Sequence, residues 1–131
     1  MTPEQAKPKL AQITMGMGTR ADGELAGERM QIAFSANSQE DEHSCFSDNT
    51  HRDIWLNAEG VSNSFYGRYA GYDSTLDGAD DVTTNAVDGY GLDDFLKDEG
   101  QDVLVAKLSA ALVKTETAYS AIDTQARAGT P

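Results

Sequence analysis

The stretch "DVLVAKLSAALVKTETAYSAIDTQAR", Asp102–Arg127, decides the fold. Its Leu104, Leu108, Ala111, Thr115, Ala118, Tyr119 and Ile122 recur at three- and four-residue steps and hold one face of a helix. A helix of about 25 residues spans roughly 37 Å, so its apolar stripe needs comparably long partners. A second helix follows "SDNT", where Ser47 or Asp48 offers an N-cap, and places Ile54, Ala58, Val61 and Phe65 on one stripe. It is the shorter of the two, which points to packing partners outside this chain.

Two further helical segments precede these. "EQAKPKLAQITMGMG" carries Leu10, Ile13 and Met17 at helical steps, with Gly16 and Gly18 marking its end; Asp22 to Ala36 supplies Leu25, Met30, Ile32, Ala33 and Phe34. No β-alternation of useful length and no internal repeat is visible. The fold expected is all-α, a bundle of about four helices. A long acidic Gly/Asp-rich loop runs from Gly67 to Asp88, and "GLDDFLKDEG" forms one or two helical turns before the last helix.

Composition narrows the function. The 131 residues carry a formal charge of −12, so the summed field repels phosphate backbones and anionic lipid. Nucleic acid is excluded as a partner class. No apolar run approaches the length of a transmembrane segment, and the N-terminus lacks the apolar region of a secretory signal. The only cysteine, Cys45, cannot form an intrachain disulfide and reads as a small packed group.

Chemistry concentrates in "QEDEHSCFSDNTHRD", Gln39 to Asp53, which holds Glu40, Asp41, Glu42, Asp48 and Asp53, both histidines and the cysteine. His43 has Glu40 three residues before it and His51 has Asp48 three before it, so each pair has metal-ligand spacing if its segment is helical. Imidazole with carboxylate suits iron, zinc or manganese better than calcium. The competing reading makes Glu40 and Glu42 a solvated helix exit, Asp48 a cap, and one histidine a buried hydrogen-bond donor fixing the corner. Spacing alone favours this second reading over a metal or ligand site, and both over acid–base catalysis. Helix phase separates the histidines: His51 lies within about 60° of Ile54 and about 40° of Trp55, on the interior side, while Asp53 points away. The aromatics of "NSFYGRYAGY" read as core packing and a helix-end anchor rather than a stacking surface.

The run "GELAGERMQIAFSANSQEDEHSCFSDNTHRDIWLNAEGVSNSFYGRY", Gly23 to Tyr69, resembles the imelysin-like proteins, most closely their iron-regulated protein A branch. "DGYGLDDFLKDEGQDVLVAKLSAALVKTETAYSAID" is similar to the segment that follows in that branch. The resemblance implies an all-helical bacterial protein, exported to the periplasm or held at the outer membrane and linked to iron uptake. It implies iron or another divalent metal, or a small ligand, at a site shaped by Glu40, Glu42, His43, Asp48 and His51, with iron-uptake proteins as partners. Family members are larger, built from two helical bundles, so residues 1–131 read as one helical domain of such a protein. The wider family is named for an insulin-cleaving metallopeptidase whose proposed site is a G-x-H-x-x-E helix. That motif is missing: Phe46 stands three residues after His43 and Ile54 three after His51. Independent proteolysis is therefore not expected; a peptidase half-site completed by other sequence and a purely structural domain are the alternatives.

Overall fold

The computed structural model describes residues 2–71 and 85–129 and is all-α apart from one two-residue strand pair. It divides into two compact units, residues 1–61 with 115–131, and residues 62–114.

In the first unit the chain opens with a continuous helical rod. α1 (Pro3–Thr19) runs directly into a π-helical stretch, Arg20–Ile32, and then into α2 (Ala33–Ala36). Thr2 and Gln5 close the N-terminus as a reciprocal capping box. Gly16 and Gly18 do not end the helix as expected. A helical glycine costs only about 1 kcal/mol, and the following Arg20 keeps a right-handed backbone with φ −62, so no stop signal is present. The true stop is Asn37, in the left-handed conformation with φ 47, which leaves the end at Ala36 where the sequence places it. Of the expected α1 face, Leu10 and Ile13 are exposed and Met17 is half-buried.

A short 3₁₀ turn, Gln39–Asp41, leads through the corner into α3 (Thr50–Tyr66). The cap of α3 is Asn49 rather than Ser47 or Asp48: its carbonyl accepts from the amides of Arg52 and Asp53, both at 3.0 Å. Asp48 has φ 56 and forms the turn ahead of it. The expected α3 stripe holds, with Ile54, Ala58 and Phe65 buried and Val61 half-buried. Leu25 from the π-helical stretch, Ile54, Ala58 and Tyr119 form the core of this unit, flanked by Met30, Trp55 and Ile122.

α5 (Asp102–Arg127) is turned about one residue from its expected phase. Its inward positions are Val105, Ser109, Leu112, Glu116, Tyr119 and Asp123, whereas Leu104, Leu108, Ala111, Thr115 and Ala118 lie exposed. Tyr119 and Ile122 are the expected face residues that do pack. The phase differs because polar Glu116 and Asp123 find partners inside, which an apolar count does not register.

In the second unit Phe65 and Val105 are buried, and Phe65 packs edge-on against Tyr66 at 4.9 Å between ring centres. Tyr69 is exposed, and Tyr72 lies outside the described residues. Within the span read as a loop, β1 (Arg68–Tyr69) pairs antiparallel with β2 (Val87–Asp88), setting Arg68 opposite Asp88 and Tyr69 opposite Val87. Most of that span, residues 72–84, lies outside the described residues. α4 (Leu92–Asp98) is the expected short helix, capped where the Gly91 amide donates to Asp94 at 3.1 Å.

Gly67 has φ +63, and a Cβ there would stand 2.8 Å from the Cα of Gly91, so both the conformation and the space require glycine. Gly67→Ala is expected to cost about 1–3 kcal/mol by urea unfolding. Gly16→Ala, in open space inside α1, is expected to gain about 0.5–1 kcal/mol.

Candidate functional site

The Gln39–Asp53 segment folds into two separate arrangements, each built around one histidine. At the corner, Asp53 accepts from the Ser44 hydroxyl and from Asn49 Nδ2, the latter at 2.9 Å. Because Ser44 gives its proton to Asp53, its Oγ accepts from His43 Nδ1 at 3.0 Å, and His43 Nε2 faces Asn57 Nδ2 at 3.3 Å. Asn57 in turn accepts from Arg20, which pairs with Glu24 at 2.7 Å. Both ring nitrogens of His43 are thus engaged. The Ser44–His43 proximity is not a nucleophile and base, since the hydroxyl proton goes to the carboxylate and not to the imidazole. Asp53 does not point away into solvent; it is half-buried and ties the corner to the first turn of α3.

His51 is placed otherwise. Its Nδ1 lies 2.8 Å from Asp123 Oδ1, and Arg52 Nη1 donates to Asp123 Oδ2 at 3.1 Å. Arg127 approaches the same oxygen at 3.9 Å. Asp123 is 3% exposed, so this carboxylate is removed from water and compensated by its neighbours. The Arg52 guanidinium also lies over the Trp55 ring, 4.9 Å from its centre, while Trp55 Nε1 donates to Glu116 at 2.6 Å. A carboxylate only accepts, so the contact assigns a proton to Nδ1 of His51, and in the neutral ring Nε2 is then the acceptor.

His51 lines a cleft of 1080 Å³ together with Glu42, Asp48, Arg29 and an apolar wall that includes Met30, Phe34 and Ile54. Glu42 accepts from the Thr50 hydroxyl at 3.0 Å, and Asp48 accepts from Gln39 Nε2 at 3.2 Å. Of the five candidate site residues Glu40, Glu42, His43, Asp48 and His51, three, Glu42, Asp48 and His51, share one cleft. His43 belongs to the corner network, and Glu40 is exposed on the 3₁₀ turn. Among the described residues no group of three or more His, Cys, Asp or Glu is close enough to hold a metal ion. The side chains present do not fit a closed metal centre. They offer donors from separate positions around a space large enough for a small molecule.

Sequence reasoning missed Asp123 and Arg29. Asp123 sits four residues beyond Tyr119, and a carboxylate at a core-phase position of an otherwise packed stripe is a signal that a cation faces it. No comparable signal marks Arg29, whose surroundings depend on α3 and the corner returning to the π-helical stretch. Cys45 is half-buried and free.

The family model described as Imelysin matches residues 2–130, nearly the whole chain. No curated protein matches it. Among the described residues no helix is long and apolar enough to cross a membrane.

The two histidines predict different mutational outcomes. Asp123→Ala leaves Arg52 and His51 without their acceptor and is expected to cost about 2–4 kcal/mol by urea unfolding. His43→Ala should cost about 1–2 kcal/mol through the corner hydrogen bonds, whereas Glu40→Ala should change stability by less than about 0.5 kcal/mol.

Proposed function

Because the chain belongs to the imelysin family, we propose that it is the binding part of an exported bacterial imelysin protein. In this reading the protein is periplasmic or held at the outer membrane, serves iron uptake, and takes a metal ion or small ligand into the cleft at His51. The export and iron-uptake parts rest on the resemblance of Gly23–Tyr69 to the iron-regulated branch. The binding part rests on one observation: His51 is held through Nδ1 by buried Asp123 while lining the cleft. A carboxylate behind a histidine fixes its tautomer and ring orientation, the usual support for an imidazole that contacts a metal or a ligand proton.

Imidazole nitrogen suits iron, zinc or manganese, and His51 is the cleft's one imidazole; Glu42 and Asp48 line the same cleft without forming a group of three with it that is close enough to hold an ion. The set is incomplete, so an ion entering the cleft carries further ligands with it. Catalysis is the weaker reading. A zinc peptidase needs several fixed ligands and a general base, and neither histidine is followed by the glutamate of the peptidase motif.

Titration of the metal-free protein with zinc, followed by the ring resonances of both histidines and by calorimetry, tests this reading. Zinc should perturb the His51 ring. His51→Ala should lower zinc affinity at least about tenfold, as loss of a metal-site partner does, with His43→Ala leaving it unchanged. Zinc binding that survives His51→Ala would contradict the assignment, and an absence of heat with iron, zinc and manganese alike would remove its metal form.

A further inference from the structure

The cleft contains a cation that the binding reading does not use. Arg29 lies on its wall, on the π-helical stretch Arg20–Ile32, and its Nε is buried without a hydrogen-bond partner. A buried donor left without an acceptor is a cost to the fold. The other arginines near this site are engaged, Arg20 with Glu24 and Arg52 with Asp123. Glu42 and Asp48 line the same cleft but accept from Thr50 and Gln39. The Nε of Arg29 is therefore short of an acceptor, and the residue as a whole is half-buried on the cleft wall. π-helical turns are rare and recur at functional sites, and this one supplies both Arg29 and Met30 to the cleft.

The apolar part of the wall supplies a second requirement. Phe34 lines the cleft while 85% exposed, and Met30, Ile54 and Ile122 lie along the same lining. Such a surface beside a planar, bidentate donor suits a molecule with an apolar body and a planar anionic head. A carboxylate matches the guanidinium fork; a tetrahedral anion without an apolar body would leave Phe34 in water.

We infer that the cleft binds a carboxylate-bearing small molecule with an apolar body, its carboxylate on Arg29 and its apolar part on Phe34 and Met30. This rests on the reading of the cleft as a binding site and names the chemical class of its ligand. Charges beyond about 10 Å are screened at 0.1 M salt, so the net charge of −12 weighs little; the carboxylates that line the same cleft, Glu42 and Asp48, accept from Thr50 and Gln39, and the attraction rests on direct contact with Arg29.

The test compares 4-phenylbutyrate, its neutral amide and inorganic phosphate, each titrated into the full chain and followed by backbone amide shifts and calorimetry. Phenylbutyrate should bind at least about tenfold more tightly than the amide or phosphate and should shift amides around Arg29, Phe34 and Ile54. Arg29→Gln should abolish the preference for acid over amide, and Arg29→Lys should keep part of it, since it retains the charge without the fork. Equal binding of acid and amide, phosphate binding as tight as phenylbutyrate, an unchanged preference in Arg29→Gln, or no phenylbutyrate binding at 10 mM (about 3 kcal/mol of affinity) would each overturn the inference. The acid–amide comparison in the native chain needs no variant to fold. If zinc still perturbs His51 while phenylbutyrate fails, only the carboxylate assignment is lost; if neither probe reaches the cleft, the binding reading is lost with it.

Discussion

The buried carboxylate of Asp123 is the constraint on which the candidate site depends. Placing a charge at 3% exposure on α5 requires donors to meet it, and the first turn of α3 provides His51 and Arg52 in succession. That pairing fixes which way the start of α3 faces α5 within the first unit. Ile54 and Ala58 then fall against Tyr119 in the core, while His51 comes to the edge of the cleft. A purely apolar contact would tolerate rotation of one helix on the other. The directed hydrogen bonds to Asp123, with Trp55 to Glu116 two turns earlier on α5, do not.

The corner serves the same end by a different route. His43, Ser44, Asp53, Asn49 and Asn57 satisfy one another in a short network that joins the exit from the helical rod to α3. This gives the dense polar segment a division of labour. One histidine is consumed by structure and the other is positioned with its Nε2 as acceptor, although the two lie only eight residues apart. The carboxylates divide likewise: Asp53 holds the corner, Glu42 and Asp48 line the cleft, and Glu40 stays in water.

Much of this architecture is legible in the sequence because α3 carries an unambiguous 3.6-residue stripe. That stripe alone places His51 on the interior side, ahead of any knowledge of what meets it. The phase of α5 is misread for a physical reason. Its exposed face carries Leu104, Leu108 and Ala111, whereas its inward face spends two positions on Glu116 and Asp123, so hydrophobicity points about one residue off. The run of α1 into the π-helical stretch is also hidden, since glycines at 16 and 18 resemble a stop but keep right-handed backbone. Asp123 sits at a core-phase position four residues beyond Tyr119, which signals a partner but not which one; Arg29 carries no such signal, and the partners of Asp123 lie far away in sequence. The imelysin resemblance supplied the family, and the family match bears it out; the iron-regulated role rests on the resemblance alone.

The central claim is that Asp123 holds the Nδ1 proton of His51 and leaves Nε2 as the acceptor on a residue that lines the cleft. Long-range ¹H–¹⁵N correlation of the imidazole rings at a pH where His51 is uncharged reads this directly. The account predicts a protonated Nδ1 and an unprotonated Nε2 for His51, with the preference lost in Asp123→Ala. A His51 that carries its proton on Nε2, or whose tautomer is indifferent to Asp123, would contradict it.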